Sequence, residues 1–144
     1  MLKGLDPLLT PDLLRTLQAM GHGDEIVVVD ANYPAESGKP PVVRLAGATA
    51  TEAAAAILSV MPLDEFVPEA AWRMEVVGAP DEEQPIFEEF RSAIRRHEGD
   101  AFGLAKLERF AFYARAGQAF ATVATGERRL YGNLILKKGV VRPT

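Results

Sequence analysis

The sequence predicts an α/β fold: a single domain spanning residues 1–144, with a three-layer α/β/α sandwich built on a mixed, mostly parallel sheet. Three observations lead there. Short apolar runs alternate along the chain with amphipathic helical stretches, the pattern of a sheet covered by helices. The first run, "EIVVV", is continuously apolar, as a central parallel strand buried on both faces is. The 144 residues are 48% hydrophobic and contain neither an internal repeat nor an interdomain linker, which suits one core.

Each element has its own signal. Thr10-Pro11-Asp12 opens a helix: Thr10 caps, Pro11 takes the first helical position, and Asp12 faces the positive end of the dipole. Leu13, Leu14, Leu17 and Met20 then share one face, and Gly21 is the expected stop in a left-handed C′ conformation. "EIVVV" follows as a strand. Residues 30–41 hold Asn32, Pro34, Ser37, Gly38, Pro40 and Pro41 and read as a loop. Val42–Leu45 is a second strand. "TEAAAAILSVMPL" is a helix capped at Thr49 or Thr51 and ended before Pro62. "WRMEVV" alternates Trp72, Met74 and Val76 with Arg73, Glu75 and Val77, which predicts a strand. "PIFEEFRSAIRRHEG" sets Ile86, Phe87, Phe90, Ala93, Ile94 and His97 on one side of a helix, with Gly99 beyond its end. "LAKLERF" fits helix or strand. "FYARAGQA" is a short helix, "FATVAT" a strand, "GERR" a turn, and "YGNLILKKG" a last strand ending in a basic turn.

Composition narrows the function classes. The net charge of −4 argues against a nucleic-acid binder held by phosphate contacts. With no cysteine there is no disulfide framework and no thiolate chemistry. "MLKGLDPLLTPDLL" is broken by prolines and acids too early for a signal peptide, and no apolar run approaches the ~20 residues of a membrane span. The expectation is a cytoplasmic protein with no membrane partner.

The residues that can do chemistry fall in two clusters. "MGHGDEIVVVDANYP" puts His22 in a Gly-His-Gly turn before the first strand and Asp30 at its carboxyl end, where α/β sheets bind ligands. A strand of this length spans roughly 15 Å, so His22 and Asp30 of one chain pair only if the turn folds back or another subunit supplies one of them. Each also has a plain structural role open to it: His22 bonded to nearby backbone, Asp30 capping its loop through its carboxylate. His22-x-Asp24 offers two metal ligands at most, and His97 reads as a helix-end residue, so no metal site is expected. In "TGERRLYGN", the Tyr131 hydroxyl and the Asn133 amide both donate and accept, which suits a neutral polyol. A hairpin turn eased by Gly126 and Gly132 fits the same stretch. It lacks the spacing of a phosphate loop. Arg109 and Tyr113, at i and i+4, share a helical face, either as site residues or as an exposed Arg over an aromatic ring. Lys137-Lys138 reads as a solvated strand end, and Trp72 and Met74 as core or interface.

"MLKGLDPLLTPDLLRTLQAMGHGDEIVVVDANYPAES" and "RFAFYARAGQAFATVATGERRLYGNLILKKGV" resemble the fucose branch of the ribose pyranase/fucose mutarotase family; the likeness covers the chain nearly end to end and is weakest from Pro80 to Ala105. The Asp-Ala-Asn-Tyr-Pro loop and Tyr-Gly-Asn carry the branch. The resemblance implies a sugar mutarotase domain that interconverts the α and β anomers of L-fucose by general acid–base ring opening, without metal, nucleotide or covalent intermediate. Alternatives on the same scaffold are a D-ribose pyranase, another sugar mutarotase, or a non-catalytic monosaccharide-binding protein. By resemblance His22 is the proton donor. Asp30 and Arg109 are sugar contacts, Tyr113, Tyr131 and Asn133 surround the sugar, and Asp64 and Met74 stand where animal members touch ligand. The resemblance also implies a decameric ring with sites between subunits. "FYARA" departs from the family's "FYERA" at Ala114, a change of little consequence if that position faces solvent.

Overall fold

The computed structural model describes residues 1–144. Thr10 caps the first helix, α1 (Pro11–Ala19), by accepting a hydrogen bond from Leu13 N. The helix does not end on a left-handed glycine. Met20 is extended, and the positive φ in the following turn belongs to Gly23, at 89°, not to Gly21. Asp24 causes the difference: its Oδ2 accepts a hydrogen bond from Gly21 N at 2.8 Å and closes a polar turn where a helix cap was expected. The open carbonyls of α1 go instead to Lys138, whose ammonium donates to Leu17 O at 2.8 Å and Met20 O at 2.5 Å. Lys138 is therefore half-buried and caps a helix, contrary to its reading as a solvated strand end.

Six strands form one sheet: β1 (Glu25–Val29), β2 (Val42–Leu45), β3 (Ala71–Met74), β4 (Ala105–Leu107), β5 (Ala121–Thr125) and β6 (Leu134–Lys137), in the spatial order β2-β5-β1-β6-β3-β4. β1 pairs parallel with β5, β5 with β2, and β3 with β4. β6 alone runs against its neighbours β1 and β3, so the sheet is mixed and mostly parallel. β1 is central and buried, as its unbroken valines demand. β5 and β6 are separated by β1, so "TGERRLYGN" is a crossover and not a hairpin. Gly126 is needed there for close approach: a Cβ would collide with the Ala46 carbonyl.

Ile26 and Val28 face the larger core, with 29 buried residues, under α1, α2 (Ala50–Leu58) and α3 (Pro85–Glu98). Val27 and Val29 face a core of only 8, under α4 (Arg109–Ala116). That asymmetry leaves polar side chains room on the α4 side. α2 begins with a full capping box between Thr49 and Glu52 and ends before Pro62, and Gly99 closes α3 with φ 78°. "LAKLERF" resolves into β4 and the start of α4. β3 stops at Met74, short of the expected Val77, and Arg73 is only 4% exposed. Both faces of β3 are covered, and the Arg73 guanidinium lies 4.2 Å from the Phe87 ring centroid. Phe112 is fully buried, Phe110 is exposed, and Ala114 faces solvent. No helix is long and apolar enough to cross a membrane.

Candidate active site

The antiparallel β6 brings the clusters at its start to the edge where the other strands end. Asp30 follows β1, Met74 ends β3, and Arg109 opens α4 just past β4. Tyr131 and Asn133 precede β6. With Tyr113 from α4 these six residues line one cleft of about 250 Å³. The site lies outside the carboxyl ends of the parallel strands, as the topology dictates.

Asp30 is 6% exposed, caps its own loop and lines the cleft. Its Oδ1 accepts from Asn32 N at 2.9 Å, closing the loop, while its backbone N–H donates to Asn133 Oδ1 at 2.9 Å. Burial pushes its carboxyl above the usual range, against the opposing pull of bonds from Asn32, Asn133, Tyr33 and Gly132. Tyr131 adopts φ 61°, uncommon for a bulky residue, and its hydroxyl accepts from Val77 N at 3.0 Å. The backbone of this crossover is clipped to the Asp30 loop: Ala31 N donates to Glu127 O at 2.8 Å, and Thr125 Oγ1 donates to Val29 O at 2.7 Å. Arg109 is exposed, its guanidinium carbon 5.9 Å from the Tyr113 ring centroid.

Four residues that sequence reasoning did not place in the site also line the cleft: Asn32, Tyr33, Val77 and Leu130. Tyr33 packs on Tyr113 with centroids 5.5 Å apart, and burial together with Tyr113 and Asp30 pushes its phenol up to about 12. Its signal was its place three residues past Asp30 in the same loop. Val77 and Leu130 carried none, because only the tertiary crossing brings them there.

His22 and Asp64 stand apart from this cleft. His22 precedes β1 and Asp30 follows it, so the five-residue strand, roughly 16 Å, separates them. Asp64 does not line the cleft; it is 2% exposed and its Oδ1 lies 3.0 Å from His22 Nε2. No group of three or more His, Asp, Glu or Cys side chains converges as metal ligands.

Residues 3–141 match the RbsD / FucU transport protein family. The chain belongs to this family. It is similar to the fucose mutarotase of Homo sapiens, 48% identical over 146 residues that cover 97% of this chain and 94% of the human one. The fucose mutarotase of Streptococcus pneumoniae, solved in complex with L-fucose, superposes with a TM-score of 0.91 at 45% identity, covering 98% of this chain and all of that one. Bacillus subtilis RbsD, solved with D-ribose, superposes at 0.71 with 23% identity over 99% of this chain and all of its own, a likeness of fold.

Proposed function

We propose that this protein is an L-fucose mutarotase, an isomerase that interconverts the α and β anomers. The observation that carries the reading is the cleft, where a buried carboxylate, an arginine, two amides and three phenols converge on one small space. The neutral phenols and amides match sugar hydroxyls, and the charged pair strengthens two of the bonds. Asp30 and Arg109 make charge-assisted hydrogen bonds to the sugar, and Tyr113, Tyr131 and Asn133 bond its remaining hydroxyls. Met74, Val77 and Leu130 supply an apolar wall for the methyl group of a 6-deoxy sugar. The family relatives named fucose mutarotase support the same substrate.

The chemistry is proton transfer. The ring oxygen gains a proton, the anomeric hydroxyl loses one, and the C1–O5 bond breaks as the carbonyl forms. Closure on the opposite carbonyl face reverses these transfers and yields the other anomer. His22 is the donor, since imidazole exchanges protons near neutral pH. One strand separates it from the cleft of its own chain, so we assign it to the cleft of a second copy in a ring-like homo-oligomer, a decamer, working in the cytoplasm. The exposed imidazole, with 46% of its side chain accessible, is placed to be offered outward.

Saturation transfer between anomeric protons tests the reading across L-fucose, D-ribose, D-galactose and D-glucose. Exchange should be fastest for L-fucose. Fastest exchange of D-ribose would make the protein a pyranase, and binding without exchange would make it a sugar-binding protein.

A further inference from the structure

We propose that Asp64 acts in the reaction through His22, not on the sugar: it holds the imidazole by Nε2–H, so that Nδ1 is the atom that exchanges a proton with the sugar. The inference rests on the reading of His22 as proton donor and adds to it a positioning residue and the reacting atom.

The geometry makes the pairing rigid. Asp64 Oδ1 lies 3.0 Å from His22 Nε2 and accepts from Phe66 N at 3.1 Å, and Asp64 N donates to Lys137 O at 3.0 Å at the end of β6. The His22 ring leans on Phe66 with centroids 5.4 Å apart. The carboxylate is thus anchored to the sheet, and the imidazole is held by one bond and one ring contact.

The chemistry of the pair assigns the protons. Burial alone would raise the Asp64 carboxyl, but the bonds from His22 and Phe66 N, with the His22 and Lys137 charges, outweigh it and hold the group below its usual range. An ionised carboxylate only accepts hydrogen bonds, so Nε2 must carry the hydrogen. Nδ1 is then the nitrogen that takes up and releases a proton, and it makes no hydrogen bond within the chain. The same division of labour, a buried carboxylate fixing tautomer and orientation while the other ring nitrogen reacts, serves acid–base histidines generally.

A direct sugar contact by Asp64 fits the site poorly. Its side chain is 3% exposed, against 46% for His22, and Oδ1 already receives two donors. The imidazole is the more exposed member of the pair.

The two readings of Asp64 separate by experiment. The chain has only two histidines, so ¹⁵N-imidazole spectra of the intact protein are simple, and His22→Gln identifies the signals. We expect His22 of the unsubstituted protein as the Nε2–H tautomer. In Asp64→Asn we expect mixed tautomers, kcat for anomer exchange lowered at least about tenfold, and unchanged L-fucose affinity by calorimetry. An Nδ1–H tautomer in the unsubstituted protein would overturn the proposal even if Asp64→Asn failed to fold. Weakened fucose affinity with kcat retained would make Asp64 a sugar contact. Undiminished kcat in Asp64→Asn would likewise overturn the proposal. Full exchange by His22→Gln would instead remove the underlying reading of His22 as donor.

Discussion

In the proposed function, Asp30 serves binding at the expense of stability. Its buried carboxyl is raised, and such a group stabilises the fold fully below its unfolded pKa, about 3.9, then loses that contribution as pH rises through the folded value. Asp30→Asn keeps an oxygen for the Asn32 N–H and carries no charge into the interior. The variant should therefore gain thermal stability relative to the parent as pH rises from about 4 to neutrality. It should also lose a charge-assisted bond to the sugar, about 1.5–3 kcal/mol of affinity. Thermal scans against pH and fucose titrations check the two halves. A stability difference independent of pH would show that Asp30 is not held above its solution range. Among the neighbouring residues, Tyr33 has the clearest structural duty: its ring packs edge-on to Phe112, centroids 6.4 Å apart, and tilted on Tyr113, so the Asp30 loop is seated on α4.

The element that carries the site is the crossover from β5 to β6, and one buried glutamate holds it. Glu127 is 3% exposed. Its carboxylate accepts from Ala50 N at the start of α2 and from Arg129 N, while the Arg129 guanidinium bridges it to Glu89. Thr51 Oγ1 closes the network on Glu89 at 2.7 Å. This clamp holds in place the turn that gives Tyr131 its positive φ. Glu127→Ala should cost about 3 kcal/mol at neutral pH, because buried donors lose their acceptor. The Arg129 guanidinium holds the Glu127 carboxyl below its usual range. Its contribution is therefore present above the unfolded pKa and is lost as pH falls through the folded one, so parent and variant should converge in acid. Denaturant midpoints at neutral and acid pH measure this. Equal midpoints at neutral pH would reduce the network to surface ion pairs.

At the scale of the molecule, β1 sets the problem that the proposed assembly answers. It holds His22 and Asp64 at one edge of the sheet and the cleft at the other, and no bend in the chain brings them together. A symmetric interface repeated around a ring can join the two edges of neighbouring copies. Light scattering should give a mass near ten times 15.6 kDa. Mixed rings of His22→Ala and Tyr131→Ala subunits should recover part of the activity, since some interfaces then combine an intact His22 with an intact Tyr131. A fully active monomer, or no recovery in demonstrably mixed rings, would require both residues on the same chain's side of the site.

By itself the sequence determined the elements and most of the cleft. Local signals suffice for a Thr10 or Thr49 cap, for the apolar run of β1 and for the amphipathic stripe of α3, because each is written within a few turns of chain. Asp30, Arg109, Tyr113, Tyr131 and Asn133 were legible as polar clusters and by family resemblance, with Asp30 placed by the rule that ligands lie beyond strand ends. Met74 was legible by resemblance alone. What the sequence could not reveal depends on partners distant along the chain. Arg73 alternates with apolar neighbours in the sequence, and only Phe87 of α3, packed on its guanidinium, accounts for its burial. Lys138 looked like a strand end until α1 offered it carbonyls 121 and 118 residues away. Asp64 was legible by resemblance alone, as a position where animal members touch ligand, and only the pairing of β6 with β1 and the docking of the 62–66 segment beside Lys137 put it next to His22. Hydrophobic period and capping are local and survive in one dimension; which polar groups share an edge of a sheet is decided by strand order, and strand order exists only in the folded chain.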